Sequence, residues 1–325
     1  MKKKYIMMLL ISICAVILAG CGTDKKSVLI YTSVEDYILE DLTARLDEEF
    51  PDYDITIEYM STGNHAAKLL AEGINSECDI TFNLEYGYLT QLSQNNFLAD
   101  LSDYDMSIYC EDTLESDDYI IQGRNGGAII VNTDILKEKG LDEPTCYEDL
   151  LKPEYKDLIS MPNPKSSGTG YMFLKSLVNA WGEEKAFEYF EKLTENVLQY
   201  TSSGSGPVNA LLQGEVAIGL GMTSGAVIKI NEGSPLKILY FEEGSPFCLY
   251  GQSIIAGKEE KPHVKEVFDF LINTYNYECN EKFYPEQIFI DTIYSVDNYP
   301  QDIVYSDMSN NTIDEKNRLL DKWKY

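Results

Sequence analysis

The sequence predicts an α/β fold, on three observations. Strand-like and helix-like patterns alternate from residue 28 onward, loops rich in Ser, Thr and Gly recur between them, and 325 residues are enough for two domains with cores of their own. Strands that alternate with helices favour parallel pairing within the sheets. The pattern carries no internal repeat and no low-complexity linker.

The N-terminus stands apart from that pattern. Lys2, Lys3 and Lys4 precede an apolar run from Ile6 to Ile17 that is too short to span a membrane comfortably. It ends in Leu18-Ala19-Gly20-Cys21, which resembles a bacterial lipobox. That resemblance implies a signal peptide over residues 1–20, lipidation of Cys21, a short tether over 21–27 and an extracytoplasmic protein anchored to the outer face of the membrane.

The elements then follow in order. Val28 to Tyr31 reads as a buried strand, and Val34 to Phe50 as a helix with Ile38, Leu42 and Leu46 on one face. Ser33 and Asp36 have capping-box spacing, and Pro51 ends the helix. Ile55 to Tyr59 alternates as a strand, His65 to Gly73 reads as a helix, Ile80 to Phe82 as a strand, and Tyr88 to Leu92 as helix again. A strand at Gly127 to Val131 opens a second region, and Leu141 to Tyr155 is loop-rich. The apolar run Leu158 to Met161 leads through a Pro-punctuated turn into a helix ending at Trp181, and Glu183 to Leu193 forms another. Val197 to Tyr200, Val216 to Leu220, Leu236 to Phe241 and Ser253 to Ala256 read as strands. Pro207 suits the first turn of a helix, and further helices fall near Val264 to Asn273 and Asn317 to Lys324.

Composition removes several classes of function. A formal charge of −28, more negative still without the three signal lysines, rules out general electrostatic binding to nucleic acid or an anionic membrane. Any anionic ligand must be held by local donors against that field. Beyond Cys14 and Cys21, five dispersed cysteines (Cys78, Cys110, Cys146, Cys248, Cys279) lack a Cys-x-x-Cys pair and read as small buried hydrophobes. Two histidines, His65 and His263, make a His-based metal site a poor expectation. Neither Gly-x-Gly-x-x-Gly after a strand nor Gly-x-x-x-x-Gly-Lys occurs, and no Ser-His-acid order stands out. The chain is therefore read as a non-enzyme without cofactor or metal; a surface hydrolase using dispersed carboxylates is the alternative from another class.

Five loops share one composition: Thr32-Ser33, Ser61 to Asn64, Ser166 to Thr169, Thr201 to Gly206 and Thr223 to Gly225. Each follows a strand pattern and precedes a helix pattern, the position where open α/β sheets form ligand crevices. Hydroxyls and free N–H groups at helix starts cap the helix or hold an oxyanion.

Four stretches carry a family resemblance. They are Ile30-Tyr31-Thr32-Ser33 with its helix, Gly127 to Gly140, Met161 to Leu174, and Leu211 to Gly219. With them the chain resembles extracellular solute-binding lipoproteins of ABC importers, in the group associated with ferric iron, phosphonate and sugar-phosphate uptake, from about residue 28 to the C-terminus. The resemblance implies a two-lobed, type II periplasmic-binding-protein-like fold with mixed sheets and two hinge crossings. Lobe one would be 28–125 plus 246–325, and lobe two 126–245. It implies a monomer that captures a small anionic solute, a phosphonate or phosphorylated organic, and delivers it to permease and ATPase subunits, touching the membrane only through its lipid.

The ligand residues so implied are Thr32, Ser33, Ser61, Thr62, Gly63, Asn83 and Glu85 on one side. On the other they are Ser166, Ser167, Gly168, Thr169, Tyr200, Ser203, Ser205, Thr223 and Ser224. Tyr31, His65 and Lys165 are further candidates, and Glu85 would pair with a ligand amine. Ferric relatives hold iron with adjacent tyrosines. This sequence has 24 tyrosines but no Tyr-Tyr pair, so iron capture stands as the alternative, with polyamine- and thiamine-type solutes behind it.

Overall fold

The computed structural model describes residues 26–113 and 116–325. The expected signal peptide and the lipidation site at Cys21 lie outside them.

One half of the molecule is built on β1 (Lys26–Thr32), β2 (Tyr53–Tyr59) and β3 (Ile80–Glu85), with β1 pairing parallel to both neighbours. Helix α1 (Asp36–Glu49) lays Ile38, Leu42 and Leu46 on this sheet, each at most 1% exposed. That i, i+4, i+8 spacing puts all three on one helical face. Helices α2 (Thr62–Glu72) and α3 (Tyr86–Gln94) start one residue or less after β-type backbone. Val28, Ile30 and Phe82 belong to one core cluster that also takes in Val267, Phe268 and Tyr275 from far along the chain.

The other half is built on β5 (Ile159–Pro162), β6 (Val197–Thr201) and β7 (Ile218–Met222), with β5 parallel to both. Around it lie α4 (Thr133–Lys139), α5 (Gly168–Trp181), α6 (Glu183–Leu193), α7 (Gly206–Leu212) and α8 (Thr223–Asn231). Its core cluster collects Val131, Met161, Phe173, Leu177, Phe190 and Ile218.

Two long strands join the halves. The first part of β4 (Ile120–Asn132) pairs antiparallel with β9 (Phe247–Ile254), from Ile120 opposite Gln252 to Gly126 opposite Phe247. From Gly127 onward the same strand pairs with β7 and with β8 (Leu236–Leu239) instead. Gly127 marks the change of partner: a Cβ there would fall 2.6 Å from Met172 Cε and 3.0 Å from the Phe173 ring, so a larger residue would push these α5 side chains aside. β9 pairs in turn with β3, giving the order β2-β1-β3-β9-β4-β7-β5-β6 with β8 against β4.

The sheet is therefore mixed, and parallel pairing does not dominate. All four antiparallel ladders involve β4 or β9, the strands that cross between halves. Both strands begin earlier than their sequence pattern suggests. Gly123, Gly126 and Gly251 blur the strand signal, and long-range pairing supplies what propensity lacks. Ser33 forms no capping box either. Glu35 occupies the N-cap of α1, while Ser33 Oγ donates to the Asn83 carbonyl at 2.6 Å.

The remaining helices are α9 (Pro262–Phe270) and α10 (Asn276–Lys282), joined by a π-helical turn, and α11 (Ile313–Lys322). The segment carrying α11 packs against both halves of the molecule. Leu319 and Trp323, four residues apart, enter the core of the other half, where the Trp323 ring sits 5.3 Å from Phe190 and 5.8 Å from Tyr200. Arg318 and Lys322 both pair with Glu183 there. Among the described residues all five cysteines are unpaired, and Cys78, Cys248 and Cys279 are buried.

Candidate functional site

Between the two halves lies a narrow, nearly closed polar cleft with a free cavity volume of about 10 Å³. Its first wall comes from lobe one. Ser61 is the N-cap of α2, Thr62 its first residue, and Ser33 follows β1. Asn83 interrupts β3 at φ 56°, a left-handed conformation that Asn tolerates, and this presents its amide to the cleft. The opposite wall comes from lobe two. Ser167 is the N-cap of α5, its Oγ accepting from the Gly170 N–H, and Ser166, Thr169, Ser202, Ser203 and Gly204 flank it. The crossing strands supply Asn125 and Tyr250, with Tyr284 and Met222 beside them.

The walls approach closely. The Gly63 N–H donates to the Ser166 carbonyl at 3.3 Å, and the Tyr37 and Ser224 hydroxyls meet at 3.1 Å. A Cβ on Gly204 would lie 2.3 Å from Thr169 Oγ1 and 2.6 Å from Glu35 Oε1, so this approach needs glycine. Three buried acceptors or hydroxyls of the lining, Ser61 Oγ, Asn83 Oδ1 and Asn125 Oδ1, find no protein partner. Buried polar atoms without partners are costly unless something else satisfies them.

Among the described residues no lysine, arginine or histidine lines the cleft. Glu35 does, and burial pushes its carboxyl up to about 7, with the charge of Asp36 adding to the effect and hydrogen bonds from Ser205 opposing it. Burial likewise lifts Tyr59 to about 12 and Tyr250 and Tyr284 well above the usual phenol value, so these hydroxyls stay neutral.

Of the residues singled out from sequence, Ser33, Ser61, Thr62, Asn83, Ser166, Ser167, Thr169 and Ser203 come together around this cleft. Gly63 makes the backbone contact across it, and Gly168 lies under the Tyr250 hydroxyl, which would sit 2.5 Å from a Cβ there. The others are not part of its lining. Thr32 is fully buried and its Oγ1 accepts from the Val34 N–H. Thr223 bonds Tyr240 and Ser224 bonds Tyr37. Ser205 stands behind Ser203, at 3.1 Å between hydroxyls. Tyr200 bonds Thr194 and stacks on Tyr325.

Glu85 does not face the cleft at all. It is 0% exposed, accepts from the Gly87 N–H as N-cap of α3, and pairs with Lys316. Among the three further candidates, Tyr31 is core and Lys165 is exposed outside the lining. His65 is buried against Thr81 Oγ1 at 3.0 Å, and burial pulls its pKa down to about 3, leaving a neutral ring. Sequence reasoning missed Glu35, Tyr59, Asn125, Met222, Tyr250 and Tyr284. Glu35 stands two residues after Ser33 and was open to local reading; Asn125 and Tyr250 depend on how β4 and β9 cross.

Comparison with known proteins places the architecture. Residues 79–285 match the family model described as bacterial extracellular solute-binding protein. An uncharacterized protein of Haemophilus influenzae is 27% identical over 263 residues, covering 78% of this chain and 75% of that protein. The spermidine/putrescine-binding periplasmic protein of Salmonella typhimurium is 28% identical over 151 residues, 45% of this chain and 42% of that protein. Among solved structures, the periplasmic binding protein AfuA of Actinobacillus pleuropneumoniae, with fructose-6-phosphate bound, superposes with a TM-score of 0.81 at 25% identity. That match covers 92% of this chain and 98% of AfuA. The Salmonella protein and AfuA are binding proteins, not enzymes.

Proposed function

The chain belongs to the bacterial extracellular solute-binding proteins, whose members deliver a solute to an ABC permease, and from that premise we propose that its solute is a small phosphorylated or phosphonate-bearing organic anion. One observation carries the reading: the N-termini of α2 and α5 converge on a single cleft from opposite lobes, each with its own pair of hydroxyls, Ser61-Thr62 and Ser167-Thr169. Unpaired N–H groups and the positive ends of helix dipoles favour an oxyanion without a formal cation. Asn83, Asn125 and the neutral Tyr250 and Tyr284 hydroxyls suit the polar remainder of such a ligand. The fructose-6-phosphate of AfuA belongs to this chemical class.

The protein captures and does not transform. Ligand bound to both walls stabilises the closed arrangement by its differential affinity for that state, and β4 and β9 are where the lobes turn. A lipid tether at Cys21 would hold the receptor near its permease. The test is thermal unfolding with fructose 6-phosphate, glucose 6-phosphate, alkyl phosphonates, sulfate and spermidine. A ligand at 100 times its Kd stabilises by about 2.7 kcal/mol. Stabilisation by a phosphorylated member, weakened about tenfold or more in affinity by Ser167→Ala with Thr169→Ala, supports the reading. A shift with spermidine alone, or with nothing, refutes it.

Ferric iron is a second reading, because the Glu35 carboxyl and the Tyr59, Tyr250 and Tyr284 hydroxyls edge one cleft. The raised pKa of each phenol means that the metal would have to displace its proton. A visible tyrosinate band on adding chelated iron would favour this reading, and a colourless protein would remove it.

A further inference from the structure

Glu35 is the feature of the cleft that anion capture by itself does not explain. A carboxylate is an odd lining for an anion site, and among the described residues no cation lies within ion-pair distance of this one. The groups facing it come from every neighbouring element: Asp36 and Tyr37 on α1, Tyr59 on β2, Tyr250 on β9, Tyr284 after α10, and Ser205 before α7. None is positive at any working pH. Nor does the side chain serve its own helix, since as N-cap of α1 it accepts no N–H of that helix; its hydrogen bonds come from Ser205 of the opposite lobe. Its Oε1 instead projects against the Gly204 backbone of the opposite lobe, inside the cleft.

Two like charges within hydrogen-bond distance in a water-poor site cannot both ionise. A ligand oxyanion seated between Ser61, Ser167 and Thr169 brings that situation about. We propose that Glu35 makes capture proton-linked: on binding, the carboxylate takes one proton from solvent and, as the neutral acid, donates a hydrogen bond to a ligand oxygen. Glu35 is then a specificity determinant. It rewards ligands with an acceptor at that point and repels any anion when the carboxyl is ionised. The inference rests on the anionic-solute reading above, and the direction in which burial shifts Glu35 agrees with it.

The sign follows directly. A complex that holds one proton more than its separated parts loses affinity as pH rises, by up to about tenfold per unit above about pH 7. The experiment is titration calorimetry with fructose 6-phosphate at about pH 8, where the phosphate is largely dianionic, in two buffers of different ionisation enthalpy. The wild type should take up close to one proton; Glu35→Gln should take up none, and its affinity should stay flat between about pH 7 and 8.5. Binding without proton uptake, or uptake undiminished in Glu35→Gln, overturns this inference and leaves the anionic-solute reading standing. No binding at any pH, by fructose 6-phosphate or by any other phosphorylated or phosphonate member of the thermal-unfolding panel, overturns both. Should Glu35→Gln fold poorly, infrared difference spectra of the wild type decide the matter: a protonated-carboxyl band must grow on ligand addition at about pH 8, and no growth refutes the proposal.

Discussion

Lobe one buries two carboxylates beside helix starts, and it treats them in opposite ways. Glu85 is enclosed with Lys316, both at most 2% exposed, and the ammonium lies 4.0 Å from the Tyr88 ring centre and 4.6 Å from that of Tyr171. Burial is the largest single influence on Lys316 and would lower its pKa, but the Glu85 charge, helped by Tyr88, Cys248 and the hydrogen bond to Glu85, makes the net shift upward. Glu85 also caps α3. Glu35, fifty residues earlier in the chain, receives neither a cation nor a helix to cap. The first carboxylate ties α11 to lobe one. The second waits for a proton. Burial costs a charge in both places, and the available partner decides whether the result is structure or chemistry.

The largest way to break this contrast is to remove the partner. Lys316→Met leaves Glu85 enclosed without its cation, and chemical denaturation should show a loss of about 3–5 kcal/mol. Lys316→Met combined with Glu85→Gln should recover much of it. A loss below about 1 kcal/mol in the single variant would mean that the pair is not the tie described here.

The next contrast concerns Glu35, and its sign is opposite. Its folded pKa, about 7, lies above the usual glutamate value, so folding binds a proton between those limits. Stability from this group is fully present below about pH 4, declines as pH rises toward about 7, and is flat above. Glu35→Gln should therefore unfold at a higher temperature than wild type at about pH 8 in ligand-free buffer, and show no such gain at about pH 4. Equal shifts at both values would count against an ionised, unpaired Glu35.

The smallest effect belongs to the surface. Arg318 bridges Glu183 and Glu315 with 44% of its side chain exposed. Arg318→Ala should cost no more than about 1 kcal/mol, and the cost should shrink further in high salt. A larger, salt-insensitive loss would show that α11 is held mainly by charge rather than by Leu319 and Trp323.

Local pattern made much of the fold legible. Helix α6 is readable from its apolar spacing to the residue, and β1, α1 and β2 follow from alternating strand and helix periods. The glycines of β4 and β9 hid where the crossings begin, because pairing partners more than a hundred residues away create those strands. The hydroxyl loops were legible as cleft walls, since small residues between strand and helix have one habitual place in such sheets. Which of Glu35 and Glu85 faced the cleft was not. Both stand at helix starts, and the difference lies in Lys316, which is 231 residues from Glu85.

The buried cysteines carry a consequence for export. Burial raises the thiols of Cys78, Cys248 and Cys279, the last to about 12 and the others further. Thiolate is the species that attacks disulfides and oxidants, so at neutral pH the folded protein offers almost none from these three positions. Once folded, these positions are indifferent to whether the surrounding compartment is reducing or oxidising; the hazard is confined to the interval before the cores close, when the same sulfurs are still in water.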